Sequence, residues 1–205
     1  MKKKLVLLSV VLSFACAGMV YAQEKNVLIL DDFEGEIYSD PKGTIDAGAG
    51  NGSTVEVSAD QQQKYDGMQS LKIVYDAVSG GYMWIARGYG LDVKGAAQWK
   101  VAPQDIDWPQ YKSIVFFMNG SNSGANIAFD IKDAGKELFR FMIKDDFTGW
   151  KKIVCSFDMF FPRGDWQPSD ADTNGVLDFP VMSFQFEPIA INKGSFNIDN
   201  VSLES

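Results

Sequence analysis

The chain has 205 residues, 46% of them hydrophobic and 13% aromatic, with 19 basic against 27 acidic side chains and no histidine. The acidic balance argues against nucleic acid or an anionic membrane surface as a partner. The lack of histidine removes the commonest general base and the commonest zinc ligand, so any catalysis would rest on carboxylates, Lys, Tyr or Ser.

The chain opens with three lysines, Lys2 to Lys4, followed by an apolar stretch and the small-residue site V-Y-A. This is the layout of a secretory signal peptide cleaved after Ala22, and it predicts a secreted or periplasmic protein. The apolar stretch is too short for a stable membrane span. The segment SFAC is a poor lipobox because Phe14 stands where a small residue is usual, which leaves lipid anchoring through Cys16 as the lesser alternative. Cleavage leaves residues 23–205 as one domain of 183 residues and takes the net charge from −8 to −11. Cys155 is then the one remaining thiol, so stability must come from the core rather than from a disulfide. Its apolar surroundings, KKIVCSF, predict a buried and inert side chain.

Beyond Ala22 no segment sustains a 3.6-residue apolar period. Short runs of period two recur instead, separated by Gly, Pro, Asn, Asp and Ser. In chain order the predicted strands are NVLILDDF, STVEVSA, SLKIVYD, GYMWIARG, SIVFFMNG, NIAFDIKD, ELFRFMIK, KKIVCSF, VMSFQFEP and SFNIDNVSL. Ten short strands without helical periodicity predict an all-β jelly-roll sandwich of two antiparallel sheets.

Alternation assigns the faces. In NIAFDIKD, Ile127, Phe129 and Ile131 share one side, and Ala128, Asp130 and Lys132 the other. ELFRFMIK puts Phe139, Phe141 and Ile143 inward and Leu138, Arg140 and Met142 outward. In VMSFQFEP, Phe184 and Phe186 point in while Gln185 and Glu187 point out. If these strands are neighbours, Asp130, Lys132, Arg140, Gln185 and Glu187 form a polar trough on one sheet face. The plainer reading is the solvated side of an ordinary sandwich.

Between Phe161 and Phe179 runs a polar insertion, FPRGDWQPSDADTNGVLDF. Its RGD tripeptide is read as a chance match rather than an adhesion signal. Asp170, Asp172, Asn174 and Gly175 match the first half of an EF-hand loop, but Val181 stands at the twelfth position, so these residues read as turn formers. Trp166, between Asp165 and Gln167, is hard to place in a core. Tyr82 and Trp84 follow a Gly-Gly turn. Exposed rings flanked by carboxylates and amides suit pyranose recognition, in which C–H faces stack on the π surface and hydroxyls bond to planar polar groups.

Over roughly Val27 to Leu203 the chain resembles the family 11 carbohydrate-binding modules of bacterial glucanases, which are galactose-binding-like jelly rolls. The runs LILDDFEG, YKSIVFFMNG, GWKKIVCSF and FNIDNVSL carry the general likeness, and FPRGDWQPSDADTNGVLD the more specific one. The resemblance implies that Arg163, Asp165 and Trp166 occupy ligand-binding positions, with Trp in place of a Tyr, and that Tyr82 matches a second binding tyrosine. Glu187 and Pro188 stand where the family offers a further aromatic. The implied function is non-catalytic recognition of a neutral, β-glucan-like polysaccharide in an open cleft. Arg163, Asp165, Trp166, Tyr82, Asp130, Arg140, Gln185 and Glu187 are the candidate contacts; the partner is a polysaccharide or oligosaccharide, bound either by a free-standing secreted binder or by a module that associates with a separate glycoside hydrolase.

Modules of this fold commonly carry a structural ion. Asp32, Glu34 and Asp199 would converge if the first and last strands pair, offering hard oxygen ligands for calcium. The competing reading makes these acids strand-end charges. Two other functions use the same fold. An envelope or periplasmic assembly protein would bury Trp166 at an interface. A small glycoside hydrolase or lyase would use Asp130 and Glu187 as its carboxylate pair.

Overall fold

Strand forms at all ten of the predicted runs and at two further places. The computed structural model describes residues 26–38, 43–93, 95–190 and 192–205. The predicted signal peptide and Cys16 lie outside the described residues. The strands are β1 (Val27–Asp31), β2 (Asp46–Gly50), β3 (Thr54–Asp60), β4 (Ser70–Ala77), β5 (Tyr82–Gly88), β6 (Ser113–Ser121), β7 (Asn126–Lys132), β8 (Leu138–Lys144), β9 (Thr148–Ser156), β10 (Phe161–Pro162), β11 (Ser183–Pro188) and β12 (Asn192–Glu204). The additions are β2, whose sequence DAGAG has no large apolar residue to alternate, and the two-residue β10.

The first sheet runs β3-β4-β12-β6-β9, with β1 pairing to the far end of the long β12. The second runs β10-β8-β7-β11-β5-β2. Each pairing is antiparallel. The first and last strands therefore do pair, Leu28 facing Leu203. Among the described residues no helix is long and apolar enough to cross a membrane.

The apolar halves of the strands meet between the sheets. Phe129 from β7 and Phe184 and Phe186 from β11 interleave with Phe116 from β6, the Phe116 and Phe186 ring centroids lying 5.2 Å apart edge to face. Such contacts add to the area buried by each ring. Ile127, Ile131, Phe139 and Ile143 are buried, as the alternation requires. Cys155 is buried and free, and burial pushes its thiol well above the ordinary value.

One charged pair crosses this interior. Arg87 continues the inward phase of Met83 and Ile85 on β5, and its guanidinium meets Asp31 at the end of β1, with Nε–Oδ2 2.6 Å and Nη2–Oδ1 2.8 Å. Arg87 is 2% and Asp31 1% exposed. The fork links the two sheets and satisfies two groups that could not be buried separately.

Candidate functional site

The outer face of the second sheet carries a groove of about 1070 Å³. Its floor comes from β5, β7, β8 and β11, and one wall from the insertion after β10. Alternation brings the predicted polar residues here because Asp130, Arg140 and Gln185 are register partners: Asp130 faces Arg140 on β8 and Gln185 on β11.

The floor differs from the predicted trough in one respect. The alternation points Asp130, Arg140, Glu187 and Leu138 away from the core, and so they are placed, yet all four are buried, Asp130 completely. The insertion is the cause. Phe161 pairs with Arg140 and Pro162 with Phe139, and the Arg163 amide donates to the Leu138 carbonyl at 2.8 Å. The Gln167 side chain then grips both main-chain groups of Leu138 and the carbonyl of Arg163, at 2.7 to 2.9 Å. Period two fixes the side a residue faces. It cannot report a loop that returns to cover that side.

Beneath this cover lies a network of two arginines and two acids, joined at its rim by the exposed Asp165. Asp130 accepts from Arg140 Nε at 2.7 Å and Nη2 at 2.9 Å, from Arg163 Nη1 at 3.1 Å and from Gln185 Nε2 at 3.1 Å. Glu187 is bonded by Arg140 Nη2, and its Oε2 lies 3.0 Å from Arg163 Nη1. Arg163 completes its fork on Asp165, with both bonds 2.9 Å. The five groups share their donors and acceptors, which is the condition for burying charge without a large loss.

Their titration follows from this arrangement. Burial pushes the Glu187 carboxyl above its ordinary value, against the pull of Arg163 and Arg140. For Arg140, burial works against the charge, but the bonds and charge of Asp130 outweigh it and raise the pKa. The bonds from Arg163 hold Asp165 below the usual carboxylate range. Burial lowers Lys132, whose ammonium donates to the Gly90 carbonyl.

The candidate contacts therefore separate into two groups. Trp166 lines the groove with 57% of its surface exposed, and Tyr82 lines it with 50% exposed. The Arg163 guanidinium sits 5.8 Å from the centroid of the Trp166 ring, a cation–π contact that orients the indole. Asp165 and Gln185 keep part of their surface in the groove. Asp130, expected as a direct contact, has no exposed surface and four donors upon it, and its carboxylate holds the Arg140 and Arg163 guanidiniums together. The same engagement bears on the acid–base pair, since Asp130 and Glu187 both spend their acceptor oxygens on the same two guanidiniums.

The insertion also accounts for its other motifs. The RGD arginine is buried and bonded to the aspartate of the same tripeptide, which is not the presentation of an adhesion loop. Asn174 donates to Asp172 and Asp178, and Gly175 takes a φ of +74° while its amide donates to Glu137. These are turn contacts.

The three predicted calcium ligands are placed as follows. Asp32 pairs with Lys100 at 2.5 Å. Glu34 accepts from the Met68 amide, and Asp199 from the amides of Tyr65 and Asp66, so both address the loop between β3 and β4. Burial pushes Asp199 up to about 6, with the Glu34 charge adding to the effect. Among the described residues no group of three or more acidic or thiol side chains is assembled around one point.

Two groove residues escaped the sequence-based selection. Trp84 reads from the sequence as an exposed ring outside the candidate contacts, and Asp46, which accepts from Trp84 Nε1 at 2.8 Å, carries no apolar pattern that marks it. The signal was a strand of small residues, DAGAG, set apart from any apolar run.

The sequence profile of the carbohydrate binding domain (family 11) matches residues 20–205. The fold is similar to that of a family 11 carbohydrate-binding module from Clostridium thermocellum, determined in complex with a β-1,3-1,4-mixed-linked tetrasaccharide. The TM-score is 0.66 at 25% identity, covering 86% of this chain and 94% of that one. The sequence is 31% identical over 124 residues to a mannan endo-1,4-beta-mannosidase of Bifidobacterium adolescentis, covering 60% of this chain. It is 27% identical over 183 residues to endoglucanase H of Acetivibrio thermocellus, covering 85%. The chain spans 11% and 18% of the length of these two enzymes.

Proposed function

Because the chain belongs to the carbohydrate binding domains of family 11, we propose that it is a non-catalytic binder of a neutral β-glucan, held in the groove of the second sheet by aromatic stacking and hydrogen bonds. The observation that carries this reading is Trp166, an indole more than half exposed at the groove and backed by a buried, fully bonded arginine. A sugar face laid on that ring replaces water on an apolar surface. Asp165 and Gln185 offer acceptors and an amide to its hydroxyls. The ligand brings no charge of its own, so binding should change little with added salt.

Stacking on one ring is worth about 1 kcal/mol or more, so Trp166→Ala is expected to weaken binding of a mixed-linked β-glucan oligosaccharide roughly five- to tenfold while leaving the melting temperature nearly unchanged. Calorimetric titration of both proteins tests this. Unchanged affinity in the variant removes Trp166 from the site. A secreted binder of this kind fits beside a glycoside hydrolase acting on the same polymer, the arrangement that the two enzyme relatives suggest.

Calcium at Glu34 and Asp199 is a second element of the proposal. Two acids address one loop, with Asp199 strained toward protonation, and a hard cation between their oxygens would relieve the repulsion. Millimolar calcium is expected to raise the melting temperature of chelator-treated protein, and Asp199→Asn to abolish the increment. No shift in the unsubstituted protein excludes the ion.

A further inference from the structure

The strand β2 has the sequence DAGAG, which neither propensity nor apolar patterning explains. Glycine weakens a strand and marks places where something must approach the backbone closely. Its two alanines, Ala47 and Ala49, turn inward and pack against the core. Its two glycines therefore face the groove side, where the register sets Gly48 opposite Trp84 and Gly50 opposite Tyr82. A Cβ on Gly48 would come within 2.5 Å of the Trp84 benzo ring, and one on Gly50 would collide with the Tyr82 phenol. Each ring thus lies across the bare backbone of its partner glycine.

The two rings are near-parallel neighbours on the groove side of β5. They stand at i and i+2 on β5, their planes are inclined by only 13°, and their centroids are 6.2 Å apart. The Trp84 indole is anchored by its bond to Asp46, so the surface is set before any ligand arrives. Both rings and Asp46 line the groove. This surface sits at the β5/β2 edge of the sheet. Trp166 follows β10 at the opposite edge.

Building on the sugar-binding reading above, we propose that Tyr82 and Trp84 form a paired stacking subsite for two consecutive units of a 1,4-linked hexopyranose chain, and that Trp84 sets the linkage preference. Consecutive equatorial 1,4-linked rings make a flat ribbon, and the ring spacing is close to the advance of one sugar unit along it. A 1,3 linkage turns the second sugar out of the plane of the first, so one flat surface cannot serve both. Trp166, a single ring, carries no such requirement. Loss of Trp84 should therefore be felt by a 1,4-linked ligand and hardly by a 1,3-linked one.

The test is calorimetric titration of cellotetraose and laminaritetraose into the unsubstituted protein and into Trp84→Ala, with Trp84→Leu as a bulkier replacement should the alanine variant fail to fold. The unsubstituted protein is expected to prefer cellotetraose. The folded Trp84 variant should lose roughly five- to tenfold in affinity for cellotetraose and less than twofold for laminaritetraose. Gly48→Val, which lifts the indole without removing it, should reproduce that selective loss. Unchanged cellotetraose binding in the variant, or equal losses for both ligands, overturns the paired subsite while leaving saccharide binding in place. Absence of binding of cellotetraose by an unsubstituted protein that binds a mixed-linked tetrasaccharide overturns the paired subsite alone, and absence of binding of all three ligands overturns both readings.

Discussion

Arg163→Ala is expected to destabilise the protein by about 3–5 kcal/mol and to reduce glucan binding below detection, because one guanidinium serves the fold and the groove together. Its removal leaves Asp130 and Glu187 buried with Arg140 as their single cationic partner, frees Asp165 from its fork, and withdraws the support under Trp166. Breaking a buried charge pair costs far more than a surface pair because the surviving charge has no water to turn to. Urea denaturation measures the loss. Adding Asp130→Asn to the variant should recover part of it by removing the stranded charge. Arg163→Lys should fall between, since an ammonium supplies the charge but not the planar fork that meets Asp165. A stability change under about 1 kcal/mol for Arg163→Ala would mean that the network does not hold the insertion in place.

Arg87→Ala should cost a similar amount of stability, about 3–5 kcal/mol, with an opposite functional signature. Asp31 would be left without its cation in the core between the sheets, where the pair joins β1 to β5. Burial already pushes its carboxyl above the ordinary value despite the bonds from Arg87. Removing those bonds raises it further, so the variant should lose stability as the pH rises and the stranded acid is forced to ionise. The fraction that remains folded should bind glucan as before, because neither residue lines the groove. The double replacement Asp31→Leu with Arg87→Met should restore stability, since an apolar pair of similar volume carries no desolvation cost. Denaturation curves at pH 5 and pH 8, with a binding titration below the unfolding transition, separate these outcomes from those for Arg163.

The contrast between the two arginines indicates what could be seen in the residues alone. Strand existence was legible wherever large apolar side chains alternate, which is why ten strands were expected and found. β2 was invisible because its alternation is between alanine and glycine, two residues that hydrophobicity barely separates. The facing of Asp130, Arg140, Gln185 and Glu187 was legible, and so was Trp166 as a residue unfit for a core. The burial of Asp130, Arg140 and Glu187 was not, since it depends on Gln167 and Arg163 fastening the insertion over β8, a contact between residues some thirty positions apart. Arg87 did leave a trace in GYMWIARG, where it falls in phase with Met83 and Ile85. A charged residue on the inward phase of a strand announces a buried partner without naming it. Asp31 could not be chosen over Asp32 from the pair DD, because a bulge in β1 between Ile29 and Asp31 shifts the phase there.

The groove follows from the same economy. One sheet face is stiffened by ion pairs at the centre, a glycine strand lets two rings lie flat at one edge, and an insertion presents a third ring at the other. Rigid aromatic surfaces of this kind lose little entropy on binding, which suits a reversible grip on a long uncharged polymer.

Calorimetric titration of the intact protein with a mixed-linked β-glucan tetrasaccharide, in parallel with Trp166→Ala, tests the central claim most directly. The account predicts one site per chain with a dissociation constant on the order of micromolar to millimolar, unaffected by about 0.5 M NaCl and weakened roughly five- to tenfold in the variant. Absence of heat with the unsubstituted protein, or equal affinity in both proteins, would contradict it.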